Sequence, residues 1–171
     1  MKLSTTPMYW IGSWVGTNRL WMDGSRSPAL SSESRAQIAP EANGNFLHMR
    51  YRWQYEAVEQ EGCLLLGNQN ASDAITAAWC DSFHMSGKLM FCTGSVNASG
   101  DVDMRGSYAA PPGPDWGWRI SLSMASADRL CMQMFNIDPH GLEELAVKAD
   151  YLRDAQARSL DSGSTVANRQ F

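Results

Sequence analysis

Positive charge is scarce in this chain. Lysine and arginine number 14 against 18 acidic residues, which leaves a net charge of −4 and a pI near 5.3. No basic face is on offer to a phosphate backbone, so nucleic-acid binding is not expected. Long hydrophobic runs are missing too, and no apolar stretch approaches the roughly 20 residues of a membrane-spanning helix. The opening Met1-Lys2-Leu3-Ser4-Thr5-Thr6-Pro7 has one charge and no apolar run before Tyr9, unlike a secretory leader. The expectation is a cytoplasmic protein without membrane association.

Cysteine is sparse and unpatterned. The four residues, at 63, 80, 92 and 131, form no CxxC pair and no Cys/His spacing that suits zinc. They read as small buried hydrophobes, and neither a metal site nor a disulfide frame is expected. A G-x-S-x-G nucleophile elbow is also lacking. Convincing long helical periodicity is absent throughout.

What the chain does have is tryptophan, methionine and alternation. At 171 residues it is the size of one domain, with 44% hydrophobic and 19% charged residues, a globular balance. Seven tryptophans and ten methionines suit either an irregular packed core or the wall of an adaptable apolar cavity.

Residues 1–8 form a lead-in. The segment Tyr9 to Met22 is aromatic and β-branched with glycines at 12 and 16, and predicts a long bent first strand with Trp14 plugging the barrel base. Residues 23–32 read as a linker, and a strand from Ser34 to Glu41 leads to a hairpin at Asn43-Gly44. Residues 46–58 alternate cleanly: Leu47, Met49, Tyr51, Trp53 and Tyr55 face one way, with His48, Arg50, Arg52, Gln54 and Glu56 opposite. The apolar stripe belongs inside, because inverting it would expose Tyr51 and Trp53.

Further strands follow turns at Glu61-Gly62, Ser72-Asp73, Ser86-Gly87, Asn97–Gly100, Pro111–Asp115, Ser126–Asp128 and Asp138–Gly141. Residues 142–153 contain helix-favouring Leu, Glu and Ala, yet fit a last strand better than a helix. Residues 154–171 are a polar tail, expected to be partly disordered. Short connections force neighbouring strands to pair antiparallel, and about ten of them curl. The fold class expected is therefore all-β: a ten-stranded antiparallel up-and-down barrel over residues 9–153, with a two-sheet sandwich as the alternative.

Gly12-x-Trp14 on the first strand and Arg153 at the end of the last resemble the calycin pattern of lipocalins, fatty-acid-binding proteins and nitrobindins. In that pattern the arginine stacks over the tryptophan. The strings Trp79-Cys80-Asp81-Ser82-Phe83-His84, Gly106-Ser107-Tyr108, Trp116-Gly117-Trp118-Arg119 and Tyr151-Leu152-Arg153 are similar to the bacterial family called domain of unknown function 1579. That resemblance implies a lipocalin-like barrel and no established activity. Nitrobindins carry haem on a histidine toward the C-terminal end of the barrel. The only histidines here are His48, His84 and His140, none on the last strand, so haem is not favoured and the cofactor stays open.

The segment Asp81–His84 offers an acid, a hydroxyl and an imidazole, but along a continuing strand Asp81 would face away from Ser82 and His84. Three readings stand: a structural turn, a ligand-contacting rim with His84 aimed into the barrel mouth, or catalysis with His84 as general base and Asp81 or an arginine as orienter. Trp118 and Arg119 suit either core and surface, or an indole and guanidinium at the mouth for an anionic head group. The expected ligand is a small apolar or amphipathic molecule in the barrel interior. Its expected contacts are His84, Asp81 and Arg119 for the polar groups, and Trp118, Trp79, Tyr51, Trp53 and Met134 for the wall. Met49, Leu122, Met132 and Tyr151 would complete that wall. A filled barrel serving as a structural module or homodimer is the remaining alternative.

Overall fold

The alternation of residues 46–55 decides which side is inside. In a computed structural model, which describes residues 8–22, 24–68 and 73–155, Leu47, Met49, Tyr51 and Trp53 are buried. Arg50, Arg52 and Gln54 are exposed on the same strand. The strands are β1 Gly12–Leu20, β2 Leu30–Glu41, β3 Phe46–Tyr55, β4 Val58–Asn68 and β5 Ala74–Asp81. They continue as β6 Met90–Val96, β7 Val102–Tyr108, β8 Trp116–Ser126, β9 Arg129–Ile137 and β10 Glu143–Arg153. Each pairs antiparallel with the next, and β1 also pairs with β10, which closes the ten-stranded barrel. Among the described residues no helix is long and apolar enough to cross a membrane.

Several boundaries move. The first strand begins at Gly12 after a short 3-10 turn, Met8–Trp10, and β2 starts at Leu30, inside the expected linker. The hairpin before β3 uses Ala42, Asn43 and Gly44 in succession, all at positive φ. The turn into β4 is Glu56-Ala57, at φ 47° and 63°, the sign that a two-residue type I′ connection needs. Gly62, expected in that turn, lies within β4 opposite Tyr51, and a β-carbon there would overlap the tyrosine ring. Glycine at 62 makes room for a side chain across the strands; it does not bend the chain.

Residues 142–153 form a strand as expected. Pairing with β9 and β1 outweighs the helix propensity of Leu, Glu and Ala, and Ala146 is accommodated at an irregularity between Leu145 and Val147. Residues 1–7, Ser72 and almost all of the tail, 156–171, lie outside the described residues.

The two ends of the barrel differ. At one, Trp14 and Arg153 are register partners, and the guanidinium carbon lies 4.1 Å from the indole centroid. Above it in the middle, Met49, Leu64, Met104, Ile120, Leu122, Met132 and Ala149 are 0% exposed. No space that would admit a water borders these seven, so the interior is close-packed where they meet. The up-and-down topology puts the ends of β3, β5, β7 and β9 at the opposite end, and there the packing opens.

Candidate functional site

The open end is organised by the last residue of β5. Alternation that turns Ile75, Ala77 and Trp79 inward turns Asp81 inward as well, and it is 4% exposed. The strand stops there and the chain turns across the barrel mouth, with Met85 N–H donating to the Asp81 carbonyl at 3.0 Å and Lys88 N–H to that of Met85 at 2.9 Å.

The Asp81 carboxylate accepts from four donors. Oδ1 takes the backbone N–H groups of Phe83 (2.9 Å) and His84 (3.0 Å) and the His84 ring Nδ1 (3.0 Å). Oδ2 takes the Tyr51 hydroxyl at 2.9 Å, and that hydroxyl in turn accepts from Trp79 Nε1 at 2.9 Å. Burial opposes the charge, but the hydrogen bonds from His84 and Tyr51 and the neighbouring imidazole outweigh it, holding Asp81 below the ordinary carboxylate range. Burial, with Asp81 adding to it, pushes Tyr51 well up, so Tyr51 stays a phenol that donates. An ionised carboxylate only accepts, which assigns a proton to His84 Nδ1. Among the described residues nothing hydrogen-bonds His84 Nε2.

Aromatic rings surround the imidazole. Its centroid lies 4.9 Å from Phe83, 5.4 Å from Trp118, 6.1 Å from Trp79 and 6.2 Å from Trp53. Trp79 and Trp118 stack on each other at 5.4 Å with planes 13° apart. Beside them opens a cavity of about 450 Å³, bordered by His84, Lys88, Met90, Tyr108, Trp118 and Asn136 among others. Tyr108 donates to Asn136 Oδ1 at 2.7 Å, which leaves the Asn136 amide N–H groups for another acceptor. Trp118 Nε1 is buried and has no hydrogen-bond partner among the described residues.

Six of the residues expected from the sequence thus come together: Asp81, His84, Tyr51, Trp53, Trp79 and Trp118. Met134 is buried in the packed interior opposite Ile120. Arg119 does not join them. Strand alternation places it on the outer wall, where it holds Asp103 at 2.5 Å and Glu143 at 2.9 Å and lies 5.1 Å from the Phe135 centroid. Ser82 is likewise outside, its hydroxyl donating to Gln60 Oε1 at 2.7 Å and accepting from the Glu61 N–H. Lys88, Met90 and Asn136 were not anticipated. Asn136 carried a signal, since it continues the Leu130, Met132, Met134 stripe of β9 and is the polar residue in it.

A haem held as nitrobindins hold it does not fit these residues. β10 turns Val147, Ala149 and Tyr151 inward, and the Tyr151 hydroxyl is paired with Ser34 Oγ at 2.9 Å. Nor, among the described residues, does any group of three or more His, Cys, Asp or Glu form a metal-holding arrangement.

A family model described as "Protein of unknown function (DUF1579)" matches residues 9–153. The chain belongs to that family. The DUF1579 match spans the barrel from Tyr9, in the turn before β1, to Arg153. The chain is also similar in structure to Rv2717c from M. tuberculosis, a crystal structure, with TM-score 0.61 and 14% identity over 86% of this chain and 94% of that one. At that identity the likeness shows the barrel fold alone. No curated protein matches the sequence.

Proposed function

We propose that this DUF1579 barrel binds a small amphipathic molecule in the cavity at its open end. The observation that carries the reading is the 450 Å³ cavity itself, walled by the stacked Trp79 and Trp118 rings and bordered by Lys88 and Asn136. The Trp118 N–H is buried without an acceptor, which costs about 1–3 kcal/mol, and a ligand that turns this ring to meet it would recover that cost. The cavity is of the size that small ligands occupy, about 300–1,000 Å³. Met90 and the stacked Trp79 and Trp118 suit an apolar body, while Lys88, Asn136 and the Trp118 N–H favour a carbonyl or anionic group. Because the interior below is packed, the ligand sits at the mouth rather than along the barrel axis.

Titration with anilinonaphthalene sulfonate, an aromatic anion of this character, tests it. One site per chain, with energy transfer from tryptophan, supports the reading; absence of saturable binding contradicts it.

A second reading has its own observation. Asp81 fixes a proton on His84 Nδ1, which leaves Nε2 as the ring atom that can exchange a proton with a ligand at the cavity wall. Proton transfer to or from a bound ligand would then require both residues, and ligand binding would survive His84→Gln while turnover would not.

A further inference from the structure

The outer wall carries a second cluster, on the opposite face of the strands from the mouth cavity. Glu41 at the end of β2, His48 on β3, Cys63 on β4 and Cys80 on β5 run across four neighbouring strands. Glu41 Oε1 lies 3.4 Å from His48 Nδ1, and His48 Nε2 lies 2.9 Å from Cys63 Sγ. Arg50 Nε donates to the same Nε2 at 3.4 Å. A guanidinium only donates, so Nε2 is the acceptor, Nδ1 bears the proton toward Glu41, and the thiol faces a basic nitrogen. Cys63 and Cys80 are register partners. Directly paired residues stand about 5.5 Å or less apart at Cα, within the reach of a disulfide.

Both thiols border a cleft of about 570 Å³ that also takes in Arg50, Arg52, Lys88 and Leu89, so small reagents reach them. Burial and the neighbouring Cys80 push the Cys63 thiol up, while Arg50 pulls it down. Cys63 therefore needs a base to ionise, and His48 is in place. A second thiol directly opposite distinguishes this arrangement from an acyl-transfer site, which has no use for one.

We propose that Cys63 and Cys80 form a redox-active dithiol oxidised by hydroperoxides, with His48 as base and Glu41 as its positioning residue. His48 Nε2 takes the Cys63 proton. The thiolate attacks the terminal peroxide oxygen, an S–O bond forms and the O–O bond breaks, and the departing oxygen takes the proton from His48. The products are a Cys63 sulfenic acid and an alcohol, or water from hydrogen peroxide. The Cys80 sulfur then displaces the sulfenic oxygen, which leaves as water, and a Cys63–Cys80 disulfide forms. Two thiols lose two electrons and the peroxide gains them.

The test treats the reduced full-length chain with hydrogen peroxide at neutral pH and maps the cysteine-containing peptides. The expected product is one Cys63–Cys80 disulfide, with Cys92 and Cys131, both pushed up to about 11 mainly by burial, oxidised more slowly. His48→Gln slows the reaction about tenfold or more. Glu41→Gln slows it less and shifts its pH profile, while Cys80→Ser stops at a Cys63 sulfenic acid that dimedone traps. Circular dichroism of each variant confirms the barrel. Equal oxidation of all four cysteines, an unchanged rate in folded His48→Gln, or no dimedone adduct in Cys80→Ser overturns the proposal.

Discussion

Arg153 lies face-on over Trp14, 4.1 Å from the ring centroid, and its guanidinium donates to the carbonyls of Tyr9 (2.7 Å), Ile11 (2.9 Å) and Ala127 (3.0 Å). One side chain thus ties the last strand to the chain entering the first and to the β8–β9 turn. The Trp14 N–H completes the knot by donating to the Trp10 carbonyl at 3.0 Å. Arg153→Ala removes the cation–π contact and the hydrogen bonds to three carbonyls, at an expected cost of about 1–3 kcal/mol. Arg153→Lys keeps the charge but not the fork of donors, and falls between. Urea unfolding midpoints read both.

Gly62→Ala tests the packing at the other end. The new methyl would overlap the Tyr51 ring. Tyr51 must then move, which breaks its bonds to Asp81 and Trp79. The expected loss is about 1–3 kcal/mol, with an altered tryptophan emission because Trp79 loses its acceptor. Wild-type emission in a destabilised variant would separate Gly62 from that network.

The Asp81 carboxylate gives the stability a pH dependence of known sign. Burial raises its pKa and the His84 and Tyr51 hydrogen bonds lower it further, so the folded value lies below the unfolded one. Its stabilising contribution is full above the unfolded value of about 3.9 and disappears as pH falls through the folded value. Asp81→Asn lowers stability by about 1–3 kcal/mol at neutral pH and flattens the acid limb of a stability–pH curve. An unchanged acid limb would show that other carboxylates set it.

Trp118→Phe removes the unpartnered N–H while keeping an aromatic ring on the cavity wall. Affinity for anilinonaphthalene sulfonate is expected to fall about three- to tenfold, the worth of one hydrogen bond.

The barrel was legible because its signals are local and periodic. The stripe from Leu47 to Tyr55 and the proline-rich loop at 111–115 constrain the fold without long-range knowledge, whereas the pairing of Trp14 with Arg153 follows from the resemblance to the calycin pattern. The Glu56-Ala57 turn was not legible, because neither residue is a usual positive-φ former and the nearby Gly62 offered a false turn. The site was half legible. Asp81 and His84 stand out as polar residues beside an aromatic strand, but their contact depends on β5 ending at Asp81, a boundary that alternation alone does not mark. Arg119 was drawn to the mouth by its neighbour Trp118, and the acidic partners that keep it outside, Asp103 and Glu143, come from two other strands.

The proposed binding requires an occupied cavity at the open end. Ala109 lies exposed on its rim, so Ala109→Trp fills the space without touching the core. Native mass spectrometry of both chains, purified from their own host, reads occupancy directly. One small molecule per wild-type chain and none in Ala109→Trp is the expected result. A bare wild-type chain, or the same bound mass in both, would contradict it.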